Sequence, residues 1–396
     1  MKRLAIYLPP FDRRPAGLGR YVTEVCGRVI AQAPSVHLYT ETPELLPDAW
    51  TRRADVHRVP MLRGPGPARL ASRHAWLGAV LPIDLRRRAV DVLFSPFHEG
   101  MLAPSVPQVL VIHDLTPLVV PSSYFHPLAK LYFRRVLPRA LARSTVIAVS
   151  ENTRRDLVRH LGVDPSRIHV VGEGYDREVF RPRDPSDREE VLRRHGIQTP
   201  FLMYTGTYAA HKNVGLLVDV LHGCRARGLD LRLVLSGRHD AGEYAAIAER
   251  IRDRGLERHV IAPGYLGLDE LAACMQAATA FVYPSLYEGF GLAPLEAMAS
   301  GAAVLCSDRA SLPEVVADGA WLLDPERPEP WVEAVATLLR DDARASSLRV
   351  AALMRAVHHD WDRSVDALFD VLERAAQGRA QAVRDATHAP RTAEGA

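Results

Sequence analysis

The chain has 396 residues, 47% hydrophobic and 24% charged, with 50 Lys and Arg against 47 Asp and Glu. One core rarely grows to that size, so two domains are expected, and the composition excludes a disordered or fibrous protein. The apolar run Leu4–Leu8 stops at Pro9-Pro10 and no run approaches bilayer length, so neither a secretory leader nor a membrane span is expected. Cys26, Cys224, Cys274 and Cys306 are scattered, with neither zinc spacing nor a disulfide framework, which points to a reducing cytosol.

In the first half, strands are predicted over Leu4–Leu8, Val36–Tyr39, Val92–Phe94, Val109–Ile112, Val146–Val149 and Ile168–Val171. Helical patterns fall between them, including Gly19–Ala31 and Ser150–Leu161, where Ser150 is a natural N-cap. This alternation predicts an α/β fold on a parallel sheet. The loop after the first strand holds Gly17-Leu18-Gly19-Arg20. It has no third glycine and no acid ends the second strand, so it is a poor dinucleotide fingerprint but lets backbone approach a diphosphate. His113-Asp114 follows a strand directly, at its carboxyl end, where a lone histidine more often packs or caps than reacts.

Charge is uneven. Residues 1–176 carry 24 Lys and Arg against 15 Asp and Glu, and the remainder carries 26 against 32. Arg52, Arg53, Arg58, Arg63, Arg69, Arg73 and Arg86-Arg87-Arg88 interleave with Leu70, Trp76, Leu77, Val80 and Leu81. Such a mixture suits an anionic membrane surface, and equally a solvated arginine-rich face. No helix-turn-helix, zinc-finger or RNP pattern supports a nucleic-acid partner.

From Asp176 to Arg188 the chain turns rich in Pro, Asp and Arg and reads as a linker. A second series follows, with strands over Phe201–Thr205, Leu231–Ser236, Val260–Ala262, Ala280–Tyr283 and Ala303–Cys306 and helices near 213–227, 241–254, 269–277 and 291–300. Lys212, one of only three lysines, comes shortly after Gly206-Thr207 at a strand end and before a helix that Asn213 could cap. A compact ammonium there can neutralise a phosphate as a point charge, though a surface lysine is the plain alternative.

Glu288 and Glu296 stand eight residues apart around Gly289-Phe290-Gly291, after the strand ending at Tyr283. A strand running through a glycine turn into a helix builds an anion-facing pocket, and two acids can there accept hydrogen bonds from ligand hydroxyls. No Asp-x-Asp pair follows a strand, so no metal–diphosphate clamp is expected. An amphipathic helix is predicted around Trp361 to Ala375, and the polar, alanine-rich 376–396 reads as disordered.

Gly17-x-Gly19-Arg20, His113-Asp114-Leu115, Gly206-Thr207 with Lys212-Asn213, and Pro284-Ser285-x-x-Glu288-Gly289-Phe290-Gly291-Leu292-x-x-Leu295-Glu296-Ala297 occur together and in order. Together they resemble the family 4 retaining glycosyltransferases, over about residues 1–375. Ser311-Leu312-Pro313-Glu314-Val315 and the segment from Trp361 resemble bacterial members of that family, those with Gly-Thr at this point being mannosyl- and rhamnosyltransferases of polysaccharide assembly.

The resemblance implies the GT-B fold: two Rossmann-like domains facing a cleft, with a C-terminal helix crossing back to the first. The boundaries it implies are an acceptor domain at 1–176 joined by 356–375, and a donor domain at 177–355. It further implies that Glu296 binds the ribose, that Glu288 and the amides after Gly289 hold the sugar, that Lys212 neutralises the diphosphate, and that His113 lies near the transferred sugar. Gly17, Gly19, Gly206, Thr207, Tyr265, Gly289, Phe290, Gly291 and Leu292 would complete the donor site.

The implied activity is retaining, metal- and cofactor-free transfer of a hexose or deoxyhexose from a nucleotide sugar, GDP-mannose first, to a saccharide or lipid-linked acceptor. The implied location is the cytoplasm, peripheral on the inner face of the membrane. A sugar-nucleotide epimerase of the same architecture and a nucleotide-sugar-binding subunit are the alternatives. One departure stands out: many members place an arginine where this chain has Thr207, or just before the lysine, where it has His211. Arg20 or Arg238 would then supply the second cation.

Overall fold

The computed structural model describes residues 1–8, 17–61, 67–120, 127–237 and 241–388. The first half is a seven-stranded parallel sheet built from β1 (Leu4–Tyr7), β2 (Val36–Thr40), β3 (Ala54–Arg58), β4 (Val92–Ser95), β5 (Gln108–Ile112), β6 (Thr145–Ala148) and β7 (Ile168–Val170), in the order β3-β2-β1-β4-β5-β6-β7. The second is a six-stranded parallel sheet of β8 (Phe201–Thr205), β9 (Arg232–Ser236), β10 (Val260–Gly264), β11 (Ala280–Tyr283), β12 (Val304–Ser307) and β13 (Trp321–Leu323), in the order β10-β9-β8-β11-β12-β13. Each order reverses beside its own first strand, at β1/β4 and at β8/β11, which opens a crevice at the carboxyl ends of those strands. Two Rossmann-like domains of the GT-B architecture result.

The central strands are buried along their whole length, which is why they read as unbroken apolar runs. Sequence reasoning missed β3 and β13, and both are edge strands. Their residues alternate between partial burial and exposure, so Ala-Asp-Val-His-Arg and Trp-Leu-Leu carry no continuous apolar signal. Ser150 caps the helix Glu151–Leu161 as expected, accepting the Thr153 N–H. Asn213 sits at the N-cap position of Val214–Ala226 in a left-handed conformation. Its side chain makes no cap bond and donates to the Pro325 carbonyl at 2.6 Å.

The chain returns to the first half through the helix Trp361–His388. Trp361, Val365, Leu368, Val371 and Leu372 are buried, a one-sided stripe worth about 2 kcal/mol per side chain removed from water. Trp361 meets Tyr21 edge-on at 5.7 Å, and Arg28 donates to Asp362 at 2.7 Å. The helix continues to His388, so 376–388, expected to be disordered, is helical instead. Ala, Gln and Arg are strong helix formers, and that propensity outweighs the low hydrophobicity. Residues 389–396 lie outside the described residues.

Candidate active site

A cavity of about 410 Å³ lies between the two halves at the carboxyl ends of the strands. The first half contributes Gly17, Leu18, Arg20, His113, Asp114 and Glu173 to its lining. From the second half come Gly206, Thr207, Lys212, Tyr265, Glu288, Gly289, Phe290, Gly291 and Leu292. Of the residues expected from the sequence, only Gly19 and Glu296 do not line it. Gly19 lies in the first turn of the helix Leu18–Gln32, its carbonyl accepting the Thr23 hydroxyl.

β8 and β11 end side by side, which delivers the two working loops of the second half to one place. Tyr204, on β8, donates its hydroxyl to the Thr207 carbonyl at 2.7 Å and stacks on Tyr283 at the end of β11 at 5.8 Å. The His211 carbonyl accepts the Leu286 N–H at 2.7 Å and the Ser285 hydroxyl at 3.1 Å, tying the two loops together. Lys212 Nζ then reaches both Glu288 carboxylate oxygens, at 2.7 and 2.8 Å. The buried Ser311 hydroxyl braces the turn from beneath, 3.0 Å from the Glu288 carbonyl and 2.8 Å from that of Phe290.

Gly289 and Gly291 are there for space and conformation. A Cβ on Gly289 would overlap the His113 carbonyl oxygen of the other half, and Gly291 takes φ 118°, where side chains are strained. The helix Leu292–Ala299 opens at that point, with its first amides at the cavity.

Glu296, on that helix, is 2% exposed and faces an adjoining smaller cavity. Its Oε1 is paired with Arg20 Nη1 from the other half, while Oε2 and Arg20 Nε are buried without a hydrogen-bond partner. Burial raises the carboxyl pKa, and the Arg20 charge opposes that rise without cancelling it. Arg20, one of the two replacements expected for the missing arginine, therefore stands at the cavity already bound to the second acid. Arg238 lies outside the described residues.

His113 has both ring nitrogens on oxygen acceptors, Nδ1 3.2 Å from Glu173 and Nε2 2.9 Å from the Pro96 carbonyl. Tyr21 packs edge-on against the ring at 4.5 Å. Burial lowers the imidazole pKa, but the Glu173 hydrogen bond and charge outweigh it and the net shift is upward. Sequence reasoning missed Glu173, which stands in the loop after β7, outside any motif. His211 is the converse. Burial, then the Lys212 charge, push its pKa down, so it is a neutral imidazole near pH 7.

The basic surface of the first half is only partly as expected. Trp76, Leu77 and Leu81 are buried, and Arg69 and Arg73 are held by the buried Glu41, with Arg73 also 2.9 Å from Glu99. Val80, Ile83 and Leu131 are at least half exposed, beside exposed Arg86, Arg87, Arg134 and Arg135. Arg63 and the Leu70 side chain lie outside the described residues. Among the described residues no group of three or more His, Cys, Asp or Glu is placed to hold a metal ion, and no helix is long and apolar enough to cross a membrane.

Residues 187–353 match the family model described as glycosyl transferases group 1, and residues 15–179 match that of glycosyltransferase family 4. The chain is similar to the α-maltose-1-phosphate synthase of Mycobacterium tuberculosis, 38% identical over 188 residues, 45% of this chain and 47% of that protein. It thus spans about half the length of that relative. Against the α-maltose-1-phosphate synthase of Mycolicibacterium smegmatis it is 32% identical over 296 residues, 69% of this chain and 74% of the relative. In fold it is similar to Anabaena HepE, crystallised with UDP, with a TM-score of 0.74 and 19% identity over 94% of this chain and 100% of that one. From the family models at both halves and the similarity across most of a relative's length, the chain belongs to the GT-B glycosyltransferases, in the superfamily that unites the group 1 and family 4 enzymes.

Proposed function

We propose that the protein is a retaining glycosyltransferase that moves a hexose from a nucleotide diphosphate sugar to a saccharide acceptor. The observation that carries this reading is the Lys212–Glu288 pair, a cation and an acid in contact on two loops at one cavity beside a helix N-terminus. Lys212, the Thr207 hydroxyl and the first amides of Leu292–Ala299 receive the diphosphate, and Glu288 turns to a sugar hydroxyl. Glu296 takes the ribose diol through the oxygen that has no partner, and Tyr265 borders the base.

Transfer follows a front-face course. The diphosphate leaves C1 with its bonding electrons as an oxocarbenium-like centre develops, and the acceptor oxygen attacks C1 from the same face. The acceptor's proton passes to the departing phosphate oxygen. The fixed donors around that phosphate stabilise its growing charge, and no step calls on a metal.

GDP-mannose is the first donor to try, on the Gly206-Thr207 pattern, and UDP-glucose the second, since HepE has been crystallised with it. The acceptors to try are saccharides and lipid-linked saccharides, together with sugar phosphates, since the relatives are named for making α-maltose-1-phosphate. The exposed Val80, Ile83 and Leu131 beside arginines support docking of the first half on an anionic inner membrane face. That docking predicts co-sedimentation with anionic but not neutral vesicles. The domains divide at about residue 176, with the chain from 356 onward returning to the first.

The test is a panel of UDP-, GDP- and dTDP-sugars in thermal shift, followed by transfer assays with the donors that bind. One hundredfold excess over Kd raises stability by about 2.7 kcal/mol. Transfer with retained anomeric configuration is expected. Isomerised donor without acceptor would establish the epimerase, and binding with neither product the binding subunit.

A further inference from the structure

The turn carrying Glu288 is held from two sides, and the second side belongs to the other half of the molecule. Tyr287, directly before Glu288, is 6% exposed and donates its hydroxyl to Asp156 Oδ2 at 2.7 Å. The Tyr287 hydroxyl oxygen in turn accepts the Leu115 N–H at 3.3 Å. Thr153 is fully buried, and its hydroxyl lies 3.2 Å from the His113 carbonyl and 3.2 Å from the Gly289 carbonyl. The Asn152 N–H donates to Glu314 of the second half at 3.2 Å. Asn152, Thr153 and Asp156 share the first turns of one helix, Glu151–Leu161, which Ser150 caps.

We propose that Tyr287 is a positioning residue: through Asp156 it holds the Glu288-Gly289-Phe290 turn in the shape transfer requires, so the donor cradle is complete only while the halves are closed. The inference rests on the sugar-transfer reading above. Its physics is local. A glycine turn has little conformational preference of its own, so its shape is set by whatever its carbonyls and flanking side chains bond. Ser311 fixes the turn from within the second half, while the helix Glu151–Leu161 and the Leu115 N–H fix it relative to His113 and the acceptor side. Opening the cleft breaks these contacts together, and the turn then keeps only bonds within the second half, from Lys212, Ser285 and Ser311.

Tyr287→Phe removes both hydrogen bonds of the hydroxyl, the one given to Asp156 and the one taken from the Leu115 N–H, while Asp156→Asn addresses the first alone. The ring keeps its packing, and Asp156 keeps the Asn152 amide at 3.0 Å and His160 at 3.9 Å, so the acid is not orphaned. The full-length wild type, Tyr287→Phe, Asp156→Asn and the double variant would be compared in steady-state transfer, in calorimetric binding of GDP and UDP, and in small-angle scattering with nucleotide.

We expect Tyr287→Phe to lower kcat by about tenfold to a hundredfold while donor KM stays within about threefold, since a misplaced turn costs the transition state more than the ground state. Asp156→Asn retains an acceptor oxygen and falls between it and wild type, and the double variant is no slower than Tyr287→Phe. Nucleotide-bound Tyr287→Phe should also have a larger radius of gyration than wild type. A Tyr287→Phe kcat within about twofold of wild type, or a loss confined to KM and nucleotide affinity, overturns the proposal. Wild type that transfers no sugar from any donor sinks the transfer reading alone. The scattering arm still decides the contact, and an unchanged radius in Tyr287→Phe overturns it.

Discussion

Glu288 and Glu296 are the same chemical group eight residues apart, and the fold gives each a cation, but from opposite places. Glu288 pairs with Lys212 inside the second half, through two loops brought together by adjacent strands. Glu296 pairs with Arg20 across the cleft, beside a small cavity, with its second oxygen buried and without a hydrogen-bond partner. The first pair therefore exists whether the halves are open or closed, whereas the second exists only when they meet. The difference separates two jobs. On the proposed function, a local pair would set up the donor's reacting end, and a pair across the cleft would link nucleotide binding to closure, because a ligand that takes Glu296 must share it with Arg20 or displace it.

Breaking the local pair gives the largest effect. Glu288→Ala and Lys212→Ala should each reduce transfer by about a thousandfold or more, as loss of a preorganised charge at a leaving group does. Each also leaves its partner partly buried and uncompensated. Initial rates with labelled donor would check this, and a variant retaining a tenth of wild-type activity would remove that residue from the chemistry. Glu296→Gln is expected to act on binding instead. It exchanges a charged acceptor for a neutral one at the ribose and should weaken nucleotide affinity by about tenfold to a hundredfold, read by calorimetry, with kcat less affected.

Arg20 sharpens the contrast through pH. The Glu296 carboxyl is raised in the folded protein by burial, with Arg20 the chief opposing influence. A raised carboxyl contributes stability that is full below its unfolded value and is lost as pH climbs through the folded one. Arg20→Met removes the opposing charge, moves the folded value higher, and so deepens the loss towards neutral pH. Melting curves of wild type and Arg20→Met should lie closest near pH 4 and diverge as pH rises to about 7. Parallel curves would mean that Glu296 does not titrate against Arg20. His113 has the same sign by another route. Its raised pKa comes from Glu173 despite burial, so its stabilising contribution is complete below the ordinary histidine value and fades above the folded one. His113→Phe should flatten the wild type's decline in Tm between about pH 6 and 9, by a few degrees at most.

What the sequence made legible follows burial. Central strands and the Glu288–Glu296 turn stood out because buried strands are apolar runs and glycine turns are punctuated. The edge strands β3 and β13, half exposed, left no such mark. Lys212 and Glu288 were readable one by one because each stands in a motif on a loop that follows a strand, though their contact was not. Glu173, Thr153, Asp156 and Tyr287 were not, since their meaning arises only when the two halves face each other, and nothing in local spacing encodes a contact between residues 131 positions apart such as Tyr287 and Asp156. Arg20 was expected to serve the diphosphate, and its actual partner, Glu296, is 276 positions away.

The smallest expected effect concerns the cation that Thr207 does not provide. Had His211 supplied it, turnover would fall as pH rose through the imidazole range. Burial and the adjacent Lys212 instead hold its pKa below the ordinary value, and its carbonyl, not its ring, ties the two loops together. The ring is thus already neutral where a titrating cation would be losing its proton. His211→Ala keeps the carbonyl and should change kcat by less than about threefold, with the same pH profile as wild type between about pH 6.5 and 8.5. A rate that drops on the alkaline side in wild type but not in His211→Ala would return the missing charge to His211. Equal profiles leave the diphosphate to Lys212 and the helix amides, with Arg20 as the guanidinium that lines the cavity among the described residues.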